Sequence, residues 1–340
     1  MSGKTMRRIV RFYETGGPEV LRLEEAAPEP PRADEVLIRV QAIGLNNSEA
    51  QLRRGDYPML MAQLPSRIGR ECSGIVDAVG ASVTSVRPGD LVSTIPAFDV
   101  QRHGVYGEWC VVPEVGVTRT PDRLTRIEAA AVWQQYLTAY GPLMLNSQLG
   151  PEKIVLITAG ASSVGLGAIQ IAKLSGARVI ATTRSVTKVR VIQAAGADHV
   201  IVMGSQPFPQ AIKQATDGRG FDICLDPIAG NGLLELVDAA APEAIIHLYG
   251  QLSTDVTPLP LIPLLRKGLS IRGYTLWEIT LNAKRRTKAL AFIFERLQSG
   301  ALRPVIDKVM PLDEIIAAHR YLESGRQAGK IVIDIGGGAS

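Results

Sequence analysis

The chain has 340 residues, a length that favours two domains, each large enough to bury its own core. A net charge of +4, with no cluster of basic and aromatic residues, argues against a nucleic-acid partner. The three cysteines form no Cys-x-x-Cys pair, which argues against a disulfide framework or a structural zinc site. No apolar run reaches the ~18 residues of a membrane span, and the N-terminal sequence lacks the apolar core of a signal peptide. We therefore expect a cytoplasmic protein without a membrane partner.

Residues 1 to about 127 consist of short strand-like runs separated by turns that contain Gly and Pro. The runs are Arg7–Tyr13, Glu35–Ile43, Gly74–Val79, Asp90–Thr94 and Glu108–Val112. This pattern predicts an all-β domain, in the form of a partly open barrel. Towards the C-terminus we expect helices at Leu281–Ser299 and Leu312–Leu322, and a strand at Lys330–Asp334. Because that strand has no helical partners, we expect it to return to the N-terminal β domain.

The central part of the chain has the pattern of a nucleotide-binding domain. Lys153–Thr158 is a continuous apolar run, typical of a strand buried on both faces of a parallel sheet. A turn of small residues follows, and apolar residues then recur at helical spacing between Val164 and Ala172. Further strands are expected at Arg178–Thr183, Asp198–Val202, Phe221–Leu225, Ala244–Leu248 and Ser270–Tyr274, and helices near Val186–Ala195, Pro207–Thr216 and Gly232–Ala240. Alternation of this kind predicts the α/β class with a doubly wound parallel sheet.

The turn after the first of these strands is the candidate phosphate-binding site. It reads Gly160-x-Ser162-x-x-Gly165, so a serine replaces the middle glycine of the Gly-x-Gly-x-x-Gly pattern. Backbone N–H groups at a helix N-terminus attract a pyrophosphate. The expected cofactor-binding residues here are Gly160, Ala161, Ser162, Ser163, Val164 and Gly165. The alternative is an ordinary strand–helix turn without a ligand.

The end of the second strand of this region predicts which dinucleotide binds. Enzymes that use NAD place Asp or Glu there to bind the ribose 2′-hydroxyl. This chain has Thr183 and Arg184 instead, with Lys188 one helical turn further on. Two cations and no carboxylate favour a 2′-phosphate, so we expect NADPH as the cofactor. The alternative is that Arg184 and Lys188 are solvated surface residues.

Several motifs together resemble those of the medium-chain dehydrogenase/reductase superfamily over nearly the whole chain. They are Gly16–Leu21, Gly44–Ser48, Gly69–Val76, Val86–Asp90, Leu137–Tyr140, the phosphate turn and Gly329–Val332. The chain is most similar to the zinc-free quinone and enoyl reductase branch. The resemblance implies a doubly wound parallel Rossmann sheet over residues 128–277, and a GroES-like, mostly β catalytic domain over residues 1–127 and 278–340. It also implies a homodimer that pairs the strand Leu269–Leu276 across a two-fold axis.

The resemblance also bears on metal binding. Zinc-dependent alcohol dehydrogenases of this superfamily hold a catalytic ion with Cys, His and Cys. By the local motifs, this chain has Asn46, Arg70 and Gln134 at those places. Zinc prefers thiolate or imidazole ligands, and a guanidinium has no lone pair to donate. We therefore expect no metal site.

Without a Lewis acid, hydride transfer is easier to an electrophile whose own carbonyl accepts the developing charge. The expected substrate is thus a small hydrophobic quinone, or an enone or enoyl thioester with an activated double bond. The resemblance offers Tyr57 as a proton donor and Asn46 as an amide donor to substrate or cofactor. The alternatives are that Tyr57 is a rim aromatic residue and that Asn46 is a turn residue.

Three further residues are assigned to the cofactor by the resemblance: Thr138, expected to face the nicotinamide unless it only packs its helix, Tyr249 and Lys330. Met203 replaces a tyrosine that some quinone reductases use near the third strand. Glu71 is expected to pair with Arg70 or Arg67 and to have a structural role.

Three functions remain open at this point. The first is an NADPH-dependent, zinc-independent reductase of quinones or activated double bonds. The second is a metal-free, NADP-dependent alcohol or carbonyl oxidoreductase. The third is an NADPH-binding structural protein with little turnover. Only the first two would consume the cofactor, and their products differ.

Overall fold

The computed structural model describes residues 6–336. The chain forms two compact units, of which the first takes in the chain up to Gln134 and from Phe294 onward, and the second takes in Gln135–Ile293. The boundaries fall within two helices, α4 (Trp133–Tyr140) and α11 (Ala283–Ser299). The domain boundaries expected at 127/128 and 277/278 stay a prediction, and residues 1–5 and 337–340 of the expected β domain lie outside the described part.

In its described residues, the first unit contains ten strands. They are β1 (Arg7–Phe12), β2 (Arg22–Ala26), β3 (Glu35–Gly44), β4 (Ser66–Arg67), β5 (Glu71–Val79), β6 (Leu91–Thr94), β7 (Trp109–Pro113), β8 (Val117–Arg119), β15 (Ile306–Pro311) and β16 (Lys330–Asp334). One sheet has the order β2-β1-β4, and a larger one has the order β15-β16-β3-β5-β6-β8, with β7 also paired to β3. The long strand β3 is therefore the centre of this unit.

The C-terminal strand returns to the N-terminal strands, as the sequence predicts. β16 runs antiparallel to β3, with Val332 opposite Gly44 and Ile333 opposite Ile43. The backbone N–H of Leu45 also donates to the carbonyl of Ile331, at 3.0 Å. This pairing brings the start of β16 next to the residues that follow β3.

The prediction of an all-β domain over residues 1 to about 127 was wrong in one respect, because this stretch also contains the helices α1 (Asn47–Arg54) and α2 (Val100–His103). The first unit further contains α3 (Arg126–Ala129) and α12 (Ile315–Glu323), and α12 lies where the sequence predicts a helix. Two local signals explain α1. Glu49 in its first turn accepts the backbone N–H of the N-cap residue Asn46 at 2.9 Å. Gly55 ends the helix in the left-handed conformation, with φ of 84°.

The second unit has the predicted doubly wound sheet. Its six strands lie in the order β11-β10-β9-β12-β13-β14, and all neighbours are parallel. The bounds are β9 (Ile154–Ile157), β10 (Arg178–Thr183), β11 (His199–Val202), β12 (Phe221–Asp226), β13 (Ala240–Leu248) and β14 (Ser270–Gly273). Leu156, Ile180 and Ile246 are buried in a shared apolar core. The continuous apolar runs of the sequence thus become central strands covered on both faces.

The helices that belong wholly to the second unit are α5 (Ser163–Leu174), α6 (Val189–Ala194), α7 (Phe208–Ala215), α8 (Gly232–Ala239), α9 (Leu261–Lys267) and α10 (Trp277–Thr280). The helix expected at Val186–Ala195 is divided into a 3₁₀ turn, Val186–Lys188, followed by α6. Within residues 6–336, none of the helices has both the length and the apolar character needed to cross a bilayer.

Candidate active site

In the second unit, the turn between β9 and α5 has the geometry of a phosphate-binding loop. Ala159 adopts a left-handed conformation with φ of 48°. Ser162 is the N-cap of α5, and its hydroxyl accepts the backbone N–H of Gly165 at 3.0 Å. A cap of this kind fixes the first turn of a twelve-residue helix, whose positive dipole end then points out of the loop.

Both glycines of this turn are required by close packing. A Cβ on Gly160 would lie 2.8 Å from the Cβ of Ala181, and one on Gly165 would lie 2.7 Å from the carbonyl oxygen of Ala159. The loop therefore lies tightly against the sheet and presents backbone rather than side chains. Ser162 takes the place of the middle glycine and serves as the cap. These features fit the pyrophosphate of a dinucleotide.

The predicted 2′-phosphate residues lie at the carboxyl end of β10. Thr183 is buried, and its hydroxyl accepts the backbone N–H of Ser185 at 3.2 Å. Arg184 is exposed, and Lys188 is half-buried at the end of the 3₁₀ turn. Arg184 directly follows the last residue of β10, at the carboxyl end of the strand, where nucleotides bind in such folds.

An open cleft of about 380 Å³ lies beside the carboxyl ends of the central strands. Its walls are formed by Thr158, Thr182, Met203, Phe208, Asp226, Ile228, Ala229, Gly232, Glu235 and Leu236. Asp226 ends β12 and is buried; one carboxylate oxygen accepts the Thr158 hydroxyl, and the other accepts the N–H of Ala229 at 2.7 Å. Burial raises the pKa of Asp226 above its usual value, and these hydrogen bonds partly offset the effect.

Two further cofactor candidates belong to the second unit. Tyr249 follows β13, and its backbone N–H donates to the carbonyl of Asp226 at 3.0 Å. Burial, and next to it the nearby Asp226 carboxylate, raise the pKa of the Tyr249 phenol, while the Ser162 side chain acts in the opposite direction. Tyr249 thus lies beside the phosphate turn. Thr138 lies on α4 and is 9% exposed.

The first unit contains a second group of functional candidates, centred on Asn46. The amide oxygen Oδ1 of Asn46 accepts the ammonium of Lys330 at 2.6 Å, and Nζ of Lys330 also donates to Oε2 of Glu71 at 2.7 Å. The side chains of Lys330 and Glu71 are 1% and 0% exposed. Lys330, assigned to the cofactor by the resemblance, therefore lies in the first unit as half of a buried ion pair. The expected pairing of Glu71 with Arg70 or Arg67 was wrong.

A chain of hydrogen bonds continues from Asn46 through buried groups. Glu49 accepts the backbone N–H of Asn46 at 2.9 Å, the backbone N–H of Arg70 at 2.8 Å and the hydroxyl of Tyr106 at 2.7 Å. The Tyr106 oxygen in turn lies 3.3 Å from Nε2 of His319. Burial raises the pKa of Glu49 and lowers that of His319 to about 3. These groups hold the start of α1 in place.

Tyr57, the predicted proton donor, lies against Arg70. The guanidinium carbon of Arg70 is 5.5 Å from the centroid of the Tyr57 ring, within the range of a cation–π contact. Tyr57 is half-buried, whereas Arg70 is 4% exposed. Within residues 6–336, the Arg70 atoms Nε and Nη2 are buried without a hydrogen-bond partner. The structure thus groups Tyr57 with Arg70, and Asn46 with Lys330.

The sequence missed the Lys330–Glu71 pair and the contact between Arg70 and Tyr57. One signal was available for the first. Lys330 opens the apolar run Lys-Ile-Val-Ile of a predicted strand, and a charged residue in such a run has to find a partner if it is buried. Nothing in the local sequence indicates that the partner is Glu71, which is 259 positions away.

The donor set in the first unit does not suit a divalent metal. Over residues 6–336, no three His, Cys, Asp or Glu side chains come together in an arrangement that could hold a metal ion. The oxygen of Asn46 faces an ammonium group, and Arg70 brings a second cation. Both charges would repel a zinc ion at this place.

Comparison with known proteins identifies the superfamily. The family model for the alcohol dehydrogenase GroES-like domain matches residues 32–122, and the model described as zinc-binding dehydrogenase matches residues 195–333. A quinone oxidoreductase of Pseudomonas aeruginosa is 31% identical over 96% of this chain and 99% of its own length. The chain belongs to the medium-chain dehydrogenase/reductase superfamily. A 2-haloacrylate reductase of a Burkholderia species is 27% identical over 95% of this chain and 97% of its own length.

Solved structures support the quinone oxidoreductase-like branch of the superfamily. The Escherichia coli quinone oxidoreductase complexed with NADPH has a TM-score of 0.88 at 27% identity, over 96% of this chain and 99% of its own. A structure described as an NAD-dependent alcohol dehydrogenase has a TM-score of 0.87 at 33% identity, over 97% of this chain and all of its own. The predicted superfamily, and the fold class with Rossmann and GroES-like parts, are confirmed.

Proposed function

We propose that the protein reduces quinones or activated double bonds with hydride from NADPH and without zinc. The family assignment makes the chain an NADPH-dependent oxidoreductase of the quinone or enoyl type, and the E. coli relative holds NADPH. The finer statement, on the acceptor and on metal independence, rests chiefly on one observation. The ammonium of Lys330 lies 2.6 Å from the Asn46 oxygen, at the place where zinc-dependent relatives put a ligand.

Absence of a Lewis acid restricts the acceptor. A simple ketone or alcohol needs strong polarisation before hydride transfer, which a metal ion supplies in many dehydrogenases. In an enone, enoyl thioester or quinone, the negative charge passes by conjugation to a carbonyl oxygen, where hydrogen-bond donors suffice. The bound nicotinamide supplies the hydride. The chain then has to bind the acceptor, stabilise the oxygen and deliver a proton.

The two predicted catalytic residues have different parts in this proposal. The half-buried Tyr57 has no hydrogen-bond partner for its hydroxyl within residues 6–336, so that it is available to donate a proton to the substrate. The amide nitrogen of Asn46 donates to the carbonyl of Gly44 and to Glu49, each at 3.3 Å. These bonds are long, and the amide remains a candidate donor to substrate. Its oxygen fixes the Lys330 ammonium.

For the cofactor, we propose that backbone groups of the loop Gly160–Gly165 bind the pyrophosphate and that Thr183, Arg184 and Lys188 surround the ribose phosphate. The exposed guanidinium of Arg184 follows β10 directly, and no carboxylate takes its place. Tyr249 lies beside the phosphate turn, and Thr138 is retained as the residue that faces the nicotinamide. The buried Lys330 acts on the cofactor site only through Asn46 in this proposal.

One comparison favours a second candidate, an alcohol or carbonyl oxidoreductase, because a relative with a TM-score of 0.87 is described as an alcohol dehydrogenase. Product identification separates the candidates. NADPH is incubated with the protein and a pooled set of enones, quinones, enoyl thioesters and unconjugated ketones, and the products are identified by mass spectrometry. Saturated carbonyls or hydroquinones support the reductase. Alcohols alone would favour the second candidate, and no cofactor consumption would favour an NADPH-binding structural protein.

We further propose a homodimer in the cytoplasm. β14 is the last strand of the six-stranded sheet, so one of its edges is unpaired within the described part of the chain. Nearby in sequence, Leu259, Leu261, Ile262 and Leu265 are each more than half exposed. An edge strand beside an apolar surface favours pairing across a two-fold axis, and sedimentation should give twice the mass of one chain.

The three free, buried cysteines are in keeping with a reducing compartment such as the cytoplasm.

A further inference from the structure

Arg70 is a buried cation whose guanidinium has unpaired donor atoms among the described residues. It is 4% exposed, and its atoms Nε and Nη2 have no hydrogen-bond partner within residues 6–336. A buried charged group that is left unpaired is costly, and buried guanidinium groups are normally paired with carboxylates or other acceptors. The described part of the chain therefore leaves two donor atoms of this side chain unused.

Two carboxylates close to Arg70, those of Glu71 and Glu49, already accept hydrogen bonds from other groups. Glu71 is paired with Lys330 at 2.7 Å, and its other oxygen accepts the backbone N–H of Gln134 at 3.1 Å. Glu49 accepts the backbone N–H of Arg70, but its oxygens are shared with Asn46 and the hydroxyl of Tyr106. No ion pair links Arg70 to a carboxylate in the described residues 6–336.

The contact with Tyr57 connects this cation to the proposed chemistry. The aromatic ring lies 5.5 Å from the guanidinium carbon, and the same ring carries the proposed proton donor. A ring that packs against a guanidinium does not occupy its N–H donors, which remain able to bind an oxygen in the plane of the group. The ammonium of Lys330, by contrast, donates to two side-chain acceptors, Asn46 at 2.6 Å and Glu71 at 2.7 Å.

We propose that Arg70 binds a negatively charged oxygen of the substrate and serves as the electrophilic residue of this enzyme. The inference rests on the proposed function. When hydride from the reduced nicotinamide forms a bond to the β-carbon of an enone, the π electrons of the double bond move to the carbonyl oxygen. Arg70 stabilises the resulting enolate by hydrogen bonds and keeps its own protons. A proton from Tyr57 or water then bonds to the α-carbon, the carbonyl re-forms, and the nicotinamide is left oxidised.

A guanidinium can bind two kinds of anionic oxygen on a substrate. One is a carbonyl oxygen that becomes negatively charged during the reaction, and the other belongs to a carboxylate that the substrate already carries. The two differ in kinetics. Stabilisation of a developing charge acts on kcat, whereas binding of a permanent charge acts mainly on KM. Three substrates separate them: cyclohex-2-enone, 1,4-benzoquinone and the anion 2-chloroacrylate.

The variants are Arg70→Met, which removes the charge at similar length, and Arg70→Lys, which keeps it. Arg67→Met is the matched control, since Arg67 lies three positions away with its guanidinium carbon 5.2 Å from the Trp109 ring centroid. If the developing charge is the source, Arg70→Met lowers kcat for the two neutral substrates by about 10²–10³-fold, and Arg70→Lys recovers part of the loss. If a carboxylate is the source, Arg70→Met raises KM for 2-chloroacrylate alone.

A binding measurement without turnover gives an independent readout. 4-Nitrophenol has distinct absorption spectra as phenol and phenolate, and it presents the charged oxygen that Arg70 is proposed to bind. An adjacent guanidinium should lower the pKa of the bound phenol by about one unit or more in the wild type and in Arg67→Met. The shift should be absent in Arg70→Met. A merely structural arginine would not change the ionisation of this ligand.

The proposal is overturned if Arg70→Met keeps kcat and KM on all three substrates, or if bound 4-nitrophenol titrates alike in wild type and Arg70→Met. Should neither Arg70 variant fold, an unshifted pKa of 4-nitrophenol on the wild type overturns it as well. If the wild type reduces none of the three substrates, the proposed function fails. The spectral titration still decides the role of Arg70 in that case.

Discussion

The ammonium nitrogen of Lys330 lies 2.6 Å from the amide oxygen of Asn46, with Glu71 at 2.7 Å on its other side. A strand near the C-terminus thereby supplies a cation to the residue that caps α1. This relationship removes the acceptor that a metal would need and neutralises a buried carboxylate. It also links the end of the chain to the region that contains Tyr57 and Arg70.

Removal of the cation from this pair should be strongly destabilising. Lys330→Met leaves the Glu71 carboxylate buried without a cation. We expect the free energy of unfolding, measured in urea, to fall by about 3–5 kcal/mol. The double variant Lys330→Met with Glu71→Leu should lose much less than the sum of the single variants, because no unpaired charge remains. Lys213→Met, at an exposed position on α7, is the control. Additive losses in this cycle would show that the two charges do not interact.

The choice of cofactor should depend on Arg184. Arg184→Ala should weaken NADPH binding by about 1.5–3 kcal/mol, the range for a hydrogen bond to a charged group, and leave NADH binding nearly unchanged. Arg190→Ala removes another exposed cation, on α6, and should affect neither cofactor. Titration of both dinucleotides by calorimetry measures the difference. Equal losses for NADPH and NADH would exclude contact between Arg184 and the 2′-phosphate.

Proton delivery should depend on Tyr57. Tyr57→Phe keeps the ring that contacts Arg70 but removes the hydroxyl, so that kcat for enones should fall by about 10²-fold with NADPH affinity unchanged. Quinones should be affected less, because a reduced quinone is protonated on oxygen and water can supply that proton. Tyr13→Phe, at an exposed tyrosine, is the control. Unchanged turnover of every enone would leave water as the proton donor.

Acidification should lower the stability of the first unit, because His319 becomes protonated on unfolding. Burial, and next to it the charge of Arg53, hold the pKa of His319 at about 3, below the ~6.5 of an unfolded chain. The unfolded state therefore binds one more proton between these values. The contribution of His319 to stability is complete above about pH 6.5 and is lost at up to about 1.4 kcal/mol per unit as the pH falls towards 3.

The test compares the urea unfolding of two variants at about pH 7 and about pH 5. His319→Gln should lose less stability on acidification than the wild type, because it has no imidazole to protonate. His199→Gln, at an exposed position on β11, should follow the wild type. If His319→Gln and the wild type respond to acid in the same way, the histidine is already charged in the folded protein.

The sequence predicts the second unit well because its signals are local. Arg178–Thr183 was expected as a strand with the bounds that β10 has, since β-branched residues in an uninterrupted run have few alternatives to a central parallel strand. The turn from Gly160 to Gly165 was recognised for similar reasons. The order of several motifs along the chain predicted the superfamily, the fold class and the Rossmann and GroES-like parts. These predictions are confirmed.

The cluster in the first unit could not be predicted in the same way. Glu71 was expected to pair with Arg70 or Arg67, but adjacent residues such as Arg70 and Glu71 point to opposite faces where a strand begins. Its actual partner, Lys330, comes close only because β16 pairs with β3. α1 was missed because its sequence, Asn-Ser-Glu-Ala-Gln-Leu-Arg-Arg, is short and polar and depends on its caps.

Metal-independent hydride transfer is the central claim, and one measurement tests it most directly. The protein is purified, its zinc content is determined, and NADPH oxidation with cyclohex-2-enone and 1,4-benzoquinone is followed before and after exhaustive chelation. The structure predicts no stoichiometric zinc and equal rates, because Asn46 faces Lys330 and Arg70 brings a second cation. One tightly held zinc per chain, with activity lost on its removal and restored by its return, would contradict the claim.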